Sequence, residues 1–370
     1  SNSLTLSSYF ETRFGDTSGS LRLISGFMSI LFFLFYISSG LVGLGLLVET
    51  LFELNYTAGI SIGLLVVITY VFMGGYRTIA WIDLFQGFFL LAVIVLIPIL
   101  LLSHIGGMGP VMKEISAKQL STTFFPDYTP KTLINIFLTM ASFGLGYFGQ
   151  PHIITKFMGI RRVSDMNKAK YLGISWQAIA LTAATFIGLI GIYIFPKGLD
   201  NPEQLTLEIV KQILSPFFAG LVLCAVLAAT TNVMAAQILV VASNLSEDFY
   251  KRLFRKHASP EELLWVSRCS VILISLVAFM VAFFKISTIY QLVLFSFSGL
   301  GSAFGPLILI SLYVEKIHKY AAFSGILIGG LTAAIWPYFN ELYQWNIPSL
   351  VPGFFLSTFF IFALSALQRM

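Results

Sequence analysis

The chain has few charged residues: Asp, Glu, Lys and Arg together make up 11% of its 370 residues. Soluble domains carry about 25% charged residues. This scarcity, with a mean hydropathy of +0.87, excludes a soluble globular protein and predicts a polytopic protein in the lipid bilayer. The net charge of +5 does not indicate nucleic-acid binding, because the cations fall in short loops of the kind that orient membrane helices.

Residues that ligate metals or act as nucleophiles are also scarce. The two cysteines, Cys224 and Cys269, lie in apolar runs, so we predict that they pack against neighbouring helices and form neither a disulfide nor a metal pair. The four histidines lie near helix ends or in loops and form no ligand cluster. Without a P-loop or a Ser–His–Asp set, the sequence does not support ATP-driven transport, enzyme activity or a resident cofactor.

Apolar runs that are long enough to cross a bilayer recur along the chain. A span needs about 20 residues. We predict ten spans, at about 21–51, 57–73, 78–102, 130–152, 171–195, 216–243, 260–284, 288–313, 320–338 and 348–367. The stretches at about 104–130 and 197–208 are predicted to be loops, and the first 18 residues to be an amphipathic lead-in at the membrane surface.

Positive charge concentrates in alternate loops. Basic residues follow the second, fourth, sixth and eighth spans, at Arg77, 156–170, 251–256, and Lys316 with Lys319. The other loops are acidic or neutral. By the positive-inside rule, this alternation predicts that both chain ends are cytoplasmic, in a plasma membrane such as the bacterial inner membrane.

One apolar run ends in residues that a membrane helix tolerates poorly. Residues 144–152 read Gly-Leu-Gly-Tyr-Phe-Gly-Gln-Pro-His. A helix interior loses about 1 kcal/mol for each Gly and about 3 kcal/mol for Pro relative to Ala, and interrupted backbone in lipid needs other hydrogen-bond partners. Broken membrane helices often line a solute cavity, so we predict a solute site at this stretch.

Two polar features in other spans have both a functional and a structural interpretation. Asp83, near the start of the third span, is either a functional carboxylate within the membrane or a charge that favours the helix N-terminus or pairs with Arg77. Thr230, Thr231 and Asn232 lie at mid-span. They either bond across helices or offer the hydroxyl and amide oxygens that small cations take as ligands.

A second glycine-rich stretch lies in the eighth span, at 296–306, and ends in Pro306. Its glycines, Gly299, Gly301 and Gly305, are consistent with a helix that flexes at a gate. They are equally consistent with close helix packing and a kink. The sequence alone leaves both interpretations open.

These motifs together resemble the proline-carrying branch of the sodium/solute symporter family. The resemblance covers the chain in order and rests on 144–153 with 156–158, Gly74-Gly75 with 80–83 and Gln86, 227–229 with Gln237, 246–251, 255–259 and 299–306. It implies an all-α membrane protein with a LeuT-like inverted-repeat bundle. The single transporter domain would hold a partial first repeat at 19–103, a second repeat at 130–314 and two peripheral helices at 320–370. The family's first three helices would precede Ser1.

The resemblance also implies roles for individual residues. Tyr147, Gln150 and Pro151 fall on the family's substrate-side helix, and Phe143 falls where its proline carriers have Trp. For the ion, Asp83 matches an acidic residue near the family's sodium pathway, and Asn232 and Val233 replace the Ser and Thr that ligate sodium. For the gate, the resemblance implies glycine hinges at Gly144, Gly146, Gly149, Gly299, Gly301 and Gly305.

The function implied is cation-coupled symport of a small amino acid, proline, by alternating access. Na⁺ would bind near Asn232, with Thr230 and Thr231 close by, and Asp83 would assist its entry. Because Val233 cannot ligate a cation, a proton-coupled carrier of a related solute stays open. So do two proteins of a different class, a transporter-like sensing domain and a degenerate remnant that does not transport.

Overall fold

The computed structural model describes residues 5–73, 76–121, 123, 125, 127–160, 162–314 and 317–367, without the side chains of 73 and 76–79. The predicted turn at Gly74-Gly75, the side chain of Arg77, and Arg161 and Lys316 of the basic loops lie outside the described residues. Throughout the described part the regular structure is helical, and the predicted all-α class is confirmed.

Fourteen α-helices follow one another in the described ranges. They are α1 (Leu6–Arg13), α2 (Ser20–Phe52), α3 (Tyr56–Met73), α4 (Tyr76–Ile105), α5 (Met108–Ala117), α6 (Pro130–Gly146), α7 (Pro151–Met158), α8 (Met166–Ile194), α9 (Leu205–Ile213), α10 (Pro216–Ser243), α11 (Pro260–Phe283), α12 (Ile289–Tyr313), α13 (Lys319–Tyr343) and α14 (Leu350–Leu367). Helix α10 continues into a π-helical extension at Asn244–Phe254.

Several of these helices begin at residues whose chemistry favours a helix start. Ser259 caps α11 ahead of Pro260, and Thr129 caps α6 ahead of Pro130. Thr288 forms a capping box with Gln291 at the start of α12. Ser and Thr side chains accept hydrogen bonds from otherwise unpaired N–H groups, and Pro lacks the N–H that would be unpaired. The starts of these spans therefore follow directly from local sequence.

Nine helices in the described part are long and apolar enough to cross a membrane by length and composition. They are Ser20–Phe52, Ala80–Ile105, Pro130–Gly149, Val163–Ile194, Pro216–Phe254, Pro260–Phe283, Ile289–Tyr313, Lys319–Tyr343 and Leu350–Leu367. Where the sequence predicts the second of its ten spans, the structure has the shorter apolar helix Tyr56–Phe72. The protein is thus a multi-pass membrane protein.

The described contacts divide the chain into two compact units. Unit 1 comprises Ser1–Ser39, Tyr128–Gly159 and Ala236–Met370, and unit 2 comprises Gly40–Asp127 and Ile160–Ala235. These units alternate along the sequence. The predicted division into repeats at 19–103 and 130–314, with peripheral helices at 320–370, stays a prediction.

Unit 2 has an apolar core that includes two short helices. The buried residues come from α4, α5, α8, α9 and the first half of α10: Val93, Ile97, Leu101, Val111, Ile115, Ile187, Ile190, Ile209, Val210, Val222 and Ala225. The prediction that 104–130 and 197–208 are entirely loop is therefore wrong for α5 and for the first turn of α9. Both helices are short and carry an apolar face that only tertiary packing stabilises.

In unit 1, helices α12, α13 and α14 pack closely through small residues. A Cβ placed on Gly353 of α14 would lie 2.7 Å from the Cβ of Ser302 on α12, and Gly329 of α13 lies directly against the Ser302 carbonyl. Pro306 cannot donate the N–H that would normally pair with that carbonyl four residues earlier. The glycine contact shields this carbonyl, and small residues are the usual means of close approach between membrane helices.

The two cysteines do not pack as predicted. The side chains of Cys224 and Cys269 are free and exposed on the surface of their helices. An apolar run shows that a helix lies in the membrane, but it does not show which face meets lipid and which meets protein. The packing interpretation is therefore wrong.

Candidate functional site

The helix that begins at Pro130 is interrupted within the predicted stretch. Helix α6 ends at Gly146, a 3₁₀ turn covers Tyr147–Gly149, and Gln150 adopts an extended backbone with φ −90° and ψ 103°. Helix α7 then restarts with the buried Pro151 at its first position, where a missing N–H costs least. The backbone N–H groups of Ile153 and Ile154 both donate to the Gln150 carbonyl, so these two donors at the start of α7 have a local hydrogen-bond acceptor.

The interruption lies against α12 at very short range. A Cβ on Gly149 would lie 2.6 Å from the Cα of Gly301, and one on Gly301 would lie 2.9 Å from the Cα of Gly146. No side chain fits between the two backbones at these positions. A Cβ on Gly144, in contrast, would have open space around it.

Gln150 joins the interruption to α12. Its side chain is fully buried, and its Nε2 donates to the carbonyls of Gly146 and Phe297 at 3.1 Å each. Its Oε1 is buried without a hydrogen-bond partner in the part of the chain that the structure describes. Gln150 therefore fixes the geometry of the break, and its role toward a solute stays a prediction.

The aromatic side chains beside the interruption are half-exposed and share one partner. Phe143 and Tyr147 are 45% and 42% exposed. Their ring centroids lie 6.0 Å and 5.5 Å from that of Phe297, which Tyr147 meets edge-on. Phe143 also lines a cavity of about 610 Å³ together with Phe35 and Tyr290. Sequence reasoning missed Phe297, although it lies inside the glycine-rich stretch.

His152 is a second residue of this region that sequence reasoning left unassigned. Its ring packs edge-on against Phe33 at 5.5 Å and Tyr36 at 5.9 Å, both on α2. Its Nδ1 is buried with no hydrogen-bond partner among the described residues. The sequence feature that could have identified His152 is its position next to Pro151, in the first turn of the restarted helix α7.

The glycines of α12 occupy packing positions in a continuous helix. Helix α12 runs unbroken through Gly299, Gly301 and Gly305. Gly299 lies against the ring of Phe32, and a Cβ on Gly305 would lie 2.9 Å from the ring of Phe354. These contacts match the packing interpretation of this stretch, and its role as a hinge stays a prediction.

The candidate ion residues lie in unit 2, on α4 and the first half of α10. Asn232 donates from Nδ2 to Oε1 of Gln86 at 3.0 Å, which leaves the Asn232 carbonyl oxygen able to ligate a cation. Gln86 lies one turn after Asp83 on α4, so both side chains project on similar sides of that helix. The Asp83 carboxylate also interacts electrostatically with Tyr70.

The two threonines beside Asn232 donate to their own helix. Thr230 Oγ1 donates to the Val226 carbonyl at 2.7 Å, and Thr231 Oγ1 to the Leu227 carbonyl at 2.7 Å. A hydroxyl that donates its proton keeps lone pairs that can accept or ligate. Val233 is 42% exposed and offers no such atom.

No group of three or more His, Cys, Asp or Glu side chains converges in the part of the chain that the structure describes. Helix α10 itself contains no acidic residue, so a cation held by its side chains would be ligated by neutral hydroxyl and amide oxygens. Such ligands suit a hard cation that must be released again, because they bind it without a full countercharge.

Comparison with known proteins gives matches along the whole chain. Residues 1–329 match the sodium:solute symporter family. The chain is 35% identical to the high-affinity proline transporter PutP of Bacillus subtilis, over 100% of the chain and 77% of that protein. It is 34% identical to the osmoregulated proline transporter OpuE of the same species, over 96% and 72%, and 33% identical to the sodium/proline symporter of Escherichia coli, over 100% and 73%.

A solved structure shares the fold. It is the substrate-bound outward-open state of a Na⁺-coupled sialic acid symporter, with a TM-score of 0.73 and 18% sequence identity, over 96% of this chain and 76% of that one. The likeness confirms the LeuT-like architecture predicted from the sequence.

Proposed function

Because the chain belongs to the sodium:solute symporter family, whose members are transporters and not enzymes, we propose that it is a secondary active transporter in which Na⁺ entry drives uptake of proline. The observation that carries the proposal is the interrupted helix at Tyr147–Gln150, in a chain whose relatives at 33–35% identity are named as proline transporters. Na⁺ is carried with the solute and is not a resident cofactor.

On the solute side, the interruption offers the groups that proline needs. The first turn of α7 contains no acidic residue, and a helix N-terminus favours an anion such as the proline carboxylate. The half-exposed rings of Phe143 and Tyr147 would cover the pyrrolidine ring and attract its ammonium group. Gln150 and Pro151 would hold the break in shape.

On the ion side, we assign Na⁺ to the side-chain oxygen of Asn232, with Thr230 and Thr231 nearby but on other faces of α10. The hydrogen bond from Asn232 Nδ2 to Gln86 Oε1 supports this assignment, because it uses the amide nitrogen of Asn232 and leaves the side-chain oxygen available to ligate the ion. Asp83, one turn before Gln86, would raise the local Na⁺ concentration by its charge. The predicted hinges at Gly144, Gly146 and Gly149, and at Gly299, Gly301 and Gly305, belong to the proposal of alternating access.

The test is uptake of radiolabelled proline by the full chain in liposomes. We expect an inward Na⁺ gradient to drive accumulation, and Tyr147→Ala to lower the initial rate more than tenfold. Phe148→Ala is the matched control, because Phe148 is adjacent and 45% exposed but has no assigned role. Uptake that survives Tyr147→Ala would remove that residue from the pocket. Proline binding without any uptake would point to the sensing domain or the remnant.

The ion assignment has its own test. Val233→Thr adds an oxygen at nearly constant volume, so we expect the Na⁺ concentration for half-maximal uptake to fall several-fold. Val240→Thr, the same change two turns later on α10, should leave it unchanged. An unchanged Na⁺ dependence in Val233→Thr would count against the site. Uptake that follows a pH gradient without Na⁺ would establish a proton-coupled carrier instead.

The location follows from the same proposal. A carrier of this kind works in the plasma membrane, the inner membrane if the source is bacterial, with the C-terminus in the cytoplasm. The alternation of basic and acidic loops supports this orientation.

A further inference from the structure

The segment from Thr5 to Gly19, here called the α1 clamp, is docked in unit 1. It contains α1 and the turn that leads into α2. Phe10 is fully buried, and its ring stacks at 6.1 Å on that of Phe304 in α12, which is also fully buried. The segment therefore packs on the protein, and its predicted place at the membrane surface stays a prediction.

Four charged side chains join the clamp to two further helices. Glu11 forms ion pairs at 3.1 Å with Arg22 of α2 and with Arg252 of the α10 extension. Asp248, also on that extension, accepts from Arg22 Nε at 2.6 Å and from Thr5 Oγ1 at 3.1 Å. The circuit thus runs from the clamp to α2, on to the extension, and back to the clamp.

A second set of contacts holds the end of α12. Arg13 donates from its guanidinium to the carbonyls of Ser311 at 2.8 Å and Val314 at 3.2 Å. The hydroxyls of Tyr9 and Ser311 lie 3.1 Å apart. The last carbonyls of a helix have no partner within it, and a cation there also interacts favourably with the helix dipole.

A third set involves Asp16, at the C-terminal side of the clamp. Its carboxylate accepts from the backbone N–H of Leu21 at 2.8 Å, at the start of α2, and from the N–H of Ser18 at 3.0 Å. Lys319, the first residue of α13, lies 3.8 Å from it. The clamp also packs on α7, the restarted half of the broken helix.

We propose that the α1 clamp is a permanent brace, which keeps the ends of α2, the α10 extension, α12 and α13 in one rigid body and stays docked throughout transport. A gate must open in every cycle. Here, opening would take the hydrogen bond from Thr5 away from the Asp248 carboxylate, whose side chain is 0% exposed, would separate Glu11 from Arg22 and Arg252, and would expose Phe10. Asp248 would keep its ion pair with Arg22, but a buried carboxylate that loses a hydrogen bond and a buried aromatic ring that becomes exposed are both unfavourable. A brace that stays docked avoids both costs.

Covalent linkage separates a brace from a gate. In a chain with Cys224→Ala and Cys269→Ala, the pair Tyr9→Cys and Ser311→Cys would be bridged with a short bis-maleimide, with Tyr9→Cys alone as the control for reagent effects. We expect the bridged protein in liposomes to keep proline uptake within twofold of the unbridged pair. A loss of more than tenfold that the single variant does not show would mean that α1 has to leave, and would overturn the proposal.

The uptake measurement rests on the proposed transport function, so a second measurement avoids it. Amide hydrogen exchange of residues 6–13 in the unmodified chain should stay slow and equal with and without Na⁺ and proline. Exchange that becomes more than tenfold faster when both are added would show that the clamp opens, and would also overturn the proposal. If the unmodified chain takes up no proline, the proposed function fails while the exchange result still decides the clamp.

Discussion

Among the residues that the structure describes, two glutamine side chains are fully buried, and their surroundings differ sharply. Gln150 donates two hydrogen bonds, to Gly146 and Phe297. Gln237 in α10 is also 0% exposed, but neither its Nε2 nor its Oε1 has a partner among the described residues. A buried amide without partners costs free energy, and replacing it by an apolar group removes that cost.

We therefore expect Gln150→Leu to destabilise the protein by about 1–3 kcal/mol, because it leaves two carbonyls without their donor. Gln237→Leu should be neutral or stabilising. Thermal unfolding in detergent, followed by intrinsic fluorescence, measures both variants under identical conditions. Equal losses of stability in the two variants would contradict this account of Gln150.

At the scale of one helix and its break, replacing Gly144 or Gly149 by Ala should change stability in opposite directions. Gly144→Ala places a methyl group in open space inside α6, where Ala is favoured over Gly by up to about 1 kcal/mol. Gly149→Ala places its Cβ 2.6 Å from Gly301 Cα, so backbone has to move, at a cost of about 1–3 kcal/mol. We expect the unfolding midpoint to rise in the first variant and to fall in the second.

Uptake measurements on the same two variants test the predicted hinge. If Gly144 is a hinge, Gly144→Ala should transport proline more slowly even though it is more stable. Stability and uptake that rise together would remove Gly144 from the hinge. A Gly149→Ala variant as stable as the parent would contradict the close approach of the break to α12.

At the start of α2, Asp16 gives a pH dependence with a definite sign. Burial opposes ionisation of this carboxyl, but hydrogen bonds from Ser18, Ser20 and the Leu21 N–H outweigh it and lower its pKa below the usual range. A carboxyl with a lowered pKa in the folded state stabilises the fold above its unfolded pKa of about 3.9. That contribution is lost as the pH falls through the folded pKa.

We expect Asp16→Ala to cost about 1 kcal/mol at pH 7, as the loss of a helix-capping side chain does. The difference from the parent should shrink below pH 4. The measurement is the unfolding midpoint of both proteins from pH 7 to pH 3. Glu53→Gln is the control, because the Glu53–Lys211 pair is exposed and should contribute little at any pH. A difference that stays constant with pH would contradict the role of the charge.

For the molecule as a whole, the sequence predicts what local patterns determine. The eighth predicted span, at 288–313, agrees with α12 at Ile289–Tyr313 because its cap and its apolar length are both local. The contact between Thr5 and Asp248 joins residues 243 positions apart, and no local pattern encodes it. The same distinction applies to the candidate site. The helix break after Gly146 can be predicted from the local Gly and Pro residues. The hydrogen bonds from Gln150 to Phe297 and from Asn232 to Gln86 cannot, because they depend on tertiary packing.

The orientation of the whole chain is open to a direct test with two exposed loop residues. Asp200 lies in an acidic loop and Lys256 in a basic one, and both are exposed. In a background without Cys224 and Cys269, we expect Asp200→Cys in intact cells to react with a membrane-impermeant maleimide. Lys256→Cys should react only after the membrane is permeabilised. The reverse pattern would place the basic loops outside, and it would invert the direction in which the proposed site opens to Na⁺ and proline.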